Sequence, residues 1–131
     1  MGCGLKMTKT LKSAKPAIIL SIILPILAFA IAIVRPGIGA MLATNGLVFA
    51  TPPILLIGWW AGVLVKRGKG SYIDAGLGGL SVGVAHGIVA IVLFGYVAGG
   101  SVAQLLDMNI IETIVAIAGA VAGSGIIAGG K

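Results

Sequence analysis

The sequence predicts an all-α protein of four hydrophobic, transmembrane-like helices, and three observations carry that prediction. The first is composition. Of the 131 residues 59% are hydrophobic and 9% charged, and the mean hydropathy is +1.19, so there is too little polar surface to cover a water-soluble globule of this size. The second is a set of four apolar stretches of helical length, separated by short connections rich in glycine, proline or charge. The third is the placement of the cations. Lys6, Lys9, Lys12 and Lys15 precede the first stretch, Arg35 follows it, Lys66, Arg67 and Lys69 follow the second, none follows the third, and Lys131 ends the fourth. All but Arg35 thus occupy alternate connections, as in a chain that crosses a bilayer four times with both termini on the cytoplasmic face, where Lys and Arg are retained.

The expected organisation is a basic N-terminal arm over residues 1–16, then a single four-helix domain over residues 17–131, folded as two tandem hairpins. Ala17 to Val34 is uncharged and spans about 27 Å at ~1.5 Å per residue, close to the hydrocarbon thickness of a bilayer. Ser13 is its expected N-cap, with Pro16 in the first turn and Arg35-Pro36-Gly37 as a stop. Pro25 removes one backbone bond and should bend the helix unless a neighbour satisfies the freed carbonyl. In the second segment, Gly37 to Thr44 reads as a short helical or re-entrant piece and Asn45-Gly46 as a turn. Leu47 to Val65 then forms a span kinked or broken at Pro52-Pro53. Trp59 and Trp60, just ahead of Lys66, suit an interfacial anchor.

Lys66 to Gly70 forms a tight basic loop. Ser71 followed three residues later by Asp74 is a capping box, which starts the third helix near Tyr72; Gly99-Gly100-Ser101 ends it. A polar connection, Gln104 to Asn109, leads to the fourth helix, whose expected start pairs Asn109 with Glu112 in a weaker box and whose end lies near Ala128.

Gly79, Gly83 and Gly87 are spaced by four, and the same row reaches Gly95 and Gly99; Gly58 with Gly62 and Gly119 with Gly123 form similar pairs. Residues at i and i+4 share a helix face, so these faces have almost no side-chain volume and a partner backbone can approach closely. An interior glycine costs about 0.5–1 kcal/mol relative to alanine, so a compensating helix contact is expected, within one chain or between copies of a homo-oligomer.

Little else carries chemistry. One cysteine, one histidine and three carboxylates, none spaced for a shared site, predict no catalytic residue, no metal, no cofactor and no small-molecule substrate. Gly76-Leu77-Gly78-Gly79 lacks the strand and the Lys-Ser/Thr of a phosphate loop. The Met1-Gly2-Cys3 start has Lys6 where a myristoylation signal expects Ser or Thr, and Met7 serves equally as a start. His86 is the one ionisable residue near the middle of an apolar helix. It reads either as part of a proton or ion path or as a neutral imidazole bonded to a backbone carbonyl. A membrane-embedded carboxylate is missing from this reading, since capping accounts for Asp74 and Glu112 and Asp107 falls in a connection. Lys6, Lys9, Lys12, Lys15, Lys66, Arg67 and Lys69 form a face for an anionic partner, lipid headgroups or DNA phosphate.

Gly58-Trp59-Trp60-Ala61-Gly62, the Lys66-Arg67-Gly68-Lys69 turn and Ala75-Gly76-Leu77-Gly78-Gly79 resemble the glycine-rich hairpins of small archaeal membrane proteins of unknown function, a resemblance that assigns no activity. The lysine arm Lys6 to Lys15, the apolar segments and the small-residue packing resemble the coat proteins of spindle-shaped archaeal viruses. That resemblance implies a virion shell in which apolar helices pack copy against copy and the basic side faces DNA. The expectation is a non-enzymatic structural protein that self-assembles through its glycine faces, in a membrane or a virion shell. The alternative is a small membrane channel, transporter or membrane-complex subunit with both termini inside.

Overall fold

The computed structural model describes residues 2–129, with side chains for 8–42, 44–46 and 48–125. Five α-helices and no strand occur among the described residues: α1 (Gly2–Val34), α2 (Pro36–Thr44), α3 (Gly46–Arg67), α4 (Tyr72–Ala90), which continues as a π-helical segment (Ile91–Val97), and α5 (Val102–Gly129). Four spans, Thr8–Val34, Val48–Arg67, Tyr72–Val97 and Val102–Gly125, are long and apolar enough to cross a membrane.

Two expected boundaries move. The α1 helix begins at Gly2 and passes through Pro16 and Pro25, so Ser13 lies inside a helix and does not cap one. The reason is a buried seam of small residues, Thr10, Ala14, Ala17 and Ser21, whose i, i+4, i+7, i+11 spacing keeps them on one side, while Lys9, Lys12 and Lys15 point outward. The α5 helix starts at Val102 rather than Asn109, where Ser101 Oγ accepts from the Gln104 N–H at 3.3 Å and the Ser101 carbonyl from the Leu105 N–H at 3.0 Å. The expected connection from Gln104 to Asn109 is therefore helical.

The break expected at Pro52-Pro53 is also corrected. Helix α3 is continuous through Pro52 and Pro53, and the chain breaks at Asn45 instead, between α2 and α3. Pro52 and Pro53 lie inside α3, beyond its first turn, and withhold the N–H groups that the Val48 and Phe49 carbonyls would accept, while the buried Ile54 and Ile57 that follow hold the helix against its neighbours.

The capping box forms as expected. The Ser71 N–H donates to Asp74 Oδ2 at 2.9 Å and the Asp74 N–H to Ser71 Oγ at 3.1 Å. Just before it, α3 ends in a Schellman motif, with Gly70 N–H bonded to the Val65 carbonyl and Lys69 N–H to the Lys66 carbonyl. The left-handed residue of that motif is Lys69, at φ 67°. At the far end of the hairpin Gly99 takes the equivalent role, at φ 77°.

Helices α3 and α4 occupy the short diagonal of the bundle, with α1 on one side and α5 on the other. The most extensive contacts are α3 with α5 and α4 with α5; α1 leans on α4 more than on α3, and α1 and α5 make no close approach. The two hairpins of the chain order thus interlock. The interior is built from small residues, Ala14, Ala17, Ala61, Ala75 and Ala116, with Ile54, Val65 and Val82 the largest fully buried apolar side chains. Large apolar side chains such as Ile33, Leu56, Ile73 and Ile114 lie on the outer face.

Candidate functional site

The site is assembled around one missing hydrogen bond. Within α1, Pro25 has no N–H to give the Ser21 carbonyl one turn earlier. His86 of α4 supplies it: Nδ1 lies 3.3 Å from the Ser21 carbonyl oxygen. A carbonyl oxygen only accepts, so Nδ1 carries the proton and donates it. The expected bond between His86 and a backbone carbonyl is present, and it comes from another helix.

The other ring nitrogen meets an acid that the sequence had assigned to a cap. His86 Nε2 and Glu112 Oε2 are 3.1 Å apart, and the two residues are 5% and 4% exposed. Because α5 begins at Val102, Glu112 lies in its third turn and cannot cap it; the capping assignment for Glu112 is overturned, and the carboxylate expected to be missing beside His86 is present and buried. Asp107, placed by the sequence in a connection, is an exposed residue of the same helix. One imidazole thus joins α1, α4 and α5, including the two outer helices that otherwise stay apart.

The sequence contains a signal for this pair. Glu112, Ala116, Ala120 and Ser124 are spaced by four and all buried, a small-residue row whose one large polar member is Glu112. Beside it on α5, Thr113 Oγ1 donates to Asn109 Oδ1 at 3.4 Å, and both residues pack against the glycine row of α4. An added Cβ on Gly83 would stand 2.6 Å from Thr113 Cα and Oγ1, and one on Gly87 would collide with the Asn109 carboxamide. Among the described residues no buried side-chain nitrogen or oxygen lacks a hydrogen-bond partner, and no group of three or more His, Cys, Asp or Glu is placed to hold a metal ion.

The glycine faces pack helix on helix inside one chain. A Cβ on Gly58 would stand 2.5 Å from the Ala116 carbonyl oxygen, one on Gly79 2.6 Å from the same atom, and one on Gly62 would strike the Ala120 carbonyl. Reciprocally, Gly119 and Gly123 of α5 sit 2.7 Å and 2.5 Å from the Leu55 and Trp59 carbonyl oxygens of α3 by the same measure. Gly95 faces Val102 and Leu105 at the turn into α5, whereas Gly99 has open space and serves only the turn.

The cations gather as the sequence arranges them. Lys9 and Ser13 of α1 share a cleft of about 100 Å³ with Gly68, Lys69 and Asp74. Lys15 lies beside Trp60 in the groove between α1 and α3, and Lys66 Nζ sits 4.7 Å over the Tyr72 ring. The end of α5 is at the same end, with Gly125 against Tyr72, while Arg35 lies at the opposite end of α1. The side chain of Lys6 and the whole of Lys131 lie outside the described residues. Comparison with family models, curated proteins and solved structures returned no match.

Proposed function

We propose that this chain is an integral membrane protein that crosses the bilayer four times and works as a small channel, carrier or membrane-complex subunit rather than as a shell. The observation that carries the proposal is the buried His86–Glu112 pair inside a bundle whose outer face is apolar. Fully burying a side chain of the size of Ile33 or Leu56 is worth about 1.5–3 kcal/mol, and α1, α3, α4 and α5 all turn such residues outward. Lipid is the solvent that suits this face. In that setting an ionisable pair at mid-depth marks a functional site by default.

A self-assembling shell needs a surface for its own copies, and the glycine faces expected to provide one are filled by Ala116, Ala120, Leu55 and Trp59 of the same chain. The basic end supports an orientation with Lys9, Lys12, Lys15, Lys66, Arg67 and Lys69 among the anionic headgroups of the cytoplasmic leaflet.

The test is sided labelling in membrane vesicles, with Cys3 replaced by serine and single cysteines introduced as Lys69→Cys and Arg35→Cys. An impermeant thiol reagent should reach the two positions from opposite sides. Labelling of both from one side, chain that remains in solution without detergent, or purified particles that contain nucleic acid would each overturn the proposal.

A further inference from the structure

We infer that His86 and Glu112 form a binding site for a single proton, held between α4 and α5 in the interior of the bundle. The inference rests on the membrane reading above and names the ligand of that same site.

The proton count follows from the contacts. With Nδ1–H held by the Ser21 carbonyl, the only variable proton lies in the 3.1 Å gap between Nε2 and Oε2. It belongs either to an imidazolium facing a carboxylate or to a carboxylic acid donating to a neutral imidazole. Both forms are electrically neutral, which a low-dielectric interior tolerates. Removing the proton leaves two lone pairs facing each other and a net negative charge, so the link between α4 and α5 holds only while the site is loaded. Loading takes one proton from water and forms one hydrogen bond; unloading returns it to water.

On the α5 side the Thr113 hydroxyl next to Glu112 in sequence donates to the Asn109 carboxamide oxygen. On the other side Nδ1 ends at a carbonyl oxygen, which has no proton to pass on. Beyond it the interior is lined by Ala14, Ala17, Val82 and Ala120, and the buried hydroxyls of Ser21 and Ser124 donate to the Ile18 and Val121 carbonyls of their own helices.

Among the described residues no other ionisable group competes at this depth. The nearest charge on α1 is Lys15; α2 has none and α3 has none before Lys66; α4 offers exposed Tyr72 and Asp74, engaged in its cap, and the π-helical segment an exposed Tyr96; α5 offers Asp107 besides Glu112. The π-helical segment begins just after His86 on the same helix, a distortion frequent at functional sites.

The chain has a single histidine, so ¹⁵N NMR of histidine-labelled protein reads the site directly in phosphatidylglycerol vesicles. Flotation with those vesicles tests insertion separately: failure to float would sink the membrane reading, whereas failure of the NMR prediction in floated protein would sink this one. Nδ1 should stay protonated at every pH, and Nε2 should lose its shared proton in one step as pH rises. Glu112→Gln should abolish that step while keeping the fold, because the glutamine carboxamide can donate to Nε2; Asp107→Asn should leave it in place.

Overturning results are a proton that leaves from Nδ1, no step at Nε2, or a step unchanged in Glu112→Gln. Should Glu112→Gln fail to fold, the identity of the titrating nitrogen in the unaltered chain decides alone.

Discussion

Helices α1 and α5 are the two outer members of the bundle, and they are seated in different ways. The α5 helix is pressed backbone to backbone against α3 and α4, where Gly58, Gly62, Gly79 and Gly83 leave no room for a Cβ. The α1 helix lies on α4 and α3 through the seam Thr10, Ala14, Ala17 and Ser21 and through the single bond from His86 to its Ser21 carbonyl. Close packing supplies the association energy of α5. For α1, packing is supplemented by a polar link that exists because Pro25 withholds a donor. A helix can therefore be held by removing side chains, as α5 is against both α3 and α4, or by removing a backbone N–H, as α1 is against α4.

Replacing His86 with leucine tests both seats at once and should have the largest effect. It strands Glu112 and the Ser21 carbonyl, and removing one partner of a buried pair costs about 3–5 kcal/mol. Denaturant unfolding in detergent micelles should show that loss, with hydrogen exchange rising in α1 and α5 alike. Gly79→Val should act on α5 alone, costing about 2 kcal/mol because the new Cβ meets the Ala116 carbonyl and Ala120; exchange in α1 that rises as much as in α5 would break the distinction between the two seats.

Ala17→Leu is the matching change for α1. Ala17 is fully buried, so overpacking should cost about 1–2 kcal/mol, with exchange raised in α1 and little altered in α5. The smallest effect is of opposite sign: Lys69→Gly relieves a left-handed backbone at φ 67° and should stabilise by about 1 kcal/mol. Because it touches neither seat, it calibrates what a change confined to the basic loop does to the whole bundle.

The glycine faces that seat α5 were legible in the sequence as rows at spacing four, and the start of α4 as Ser71 with Asp74, because both signals are local and made of residues with few other uses. The seat of α1 was not. Thr10 and Ala14 are interleaved with Lys9, Lys12 and Lys15, and a run of lysines reads as a solvated arm until a neighbouring loop is known to lie against it. Glu112 was misassigned for a related reason: three residues after Asn109 it satisfies a capping pattern, and only the earlier start of α5 at Val102 moves it into the helix interior.

The sequence by itself determined that the chain is helical, that four of its segments match the thickness of a bilayer, and that its cations fall in alternate connections, since length, apolar content and charge order are properties of the chain read in one dimension. Which helices touch was decided by the tertiary structure, because glycine rows on α3, α4 and α5 are mutually compatible surfaces and nothing local says which pairs will form. The same holds for His86 and Glu112. Each is an isolated polar residue in its own helix, and only the packing of α4 between α1 and α5 brings the imidazole within reach of both an unpaired carbonyl and a buried acid.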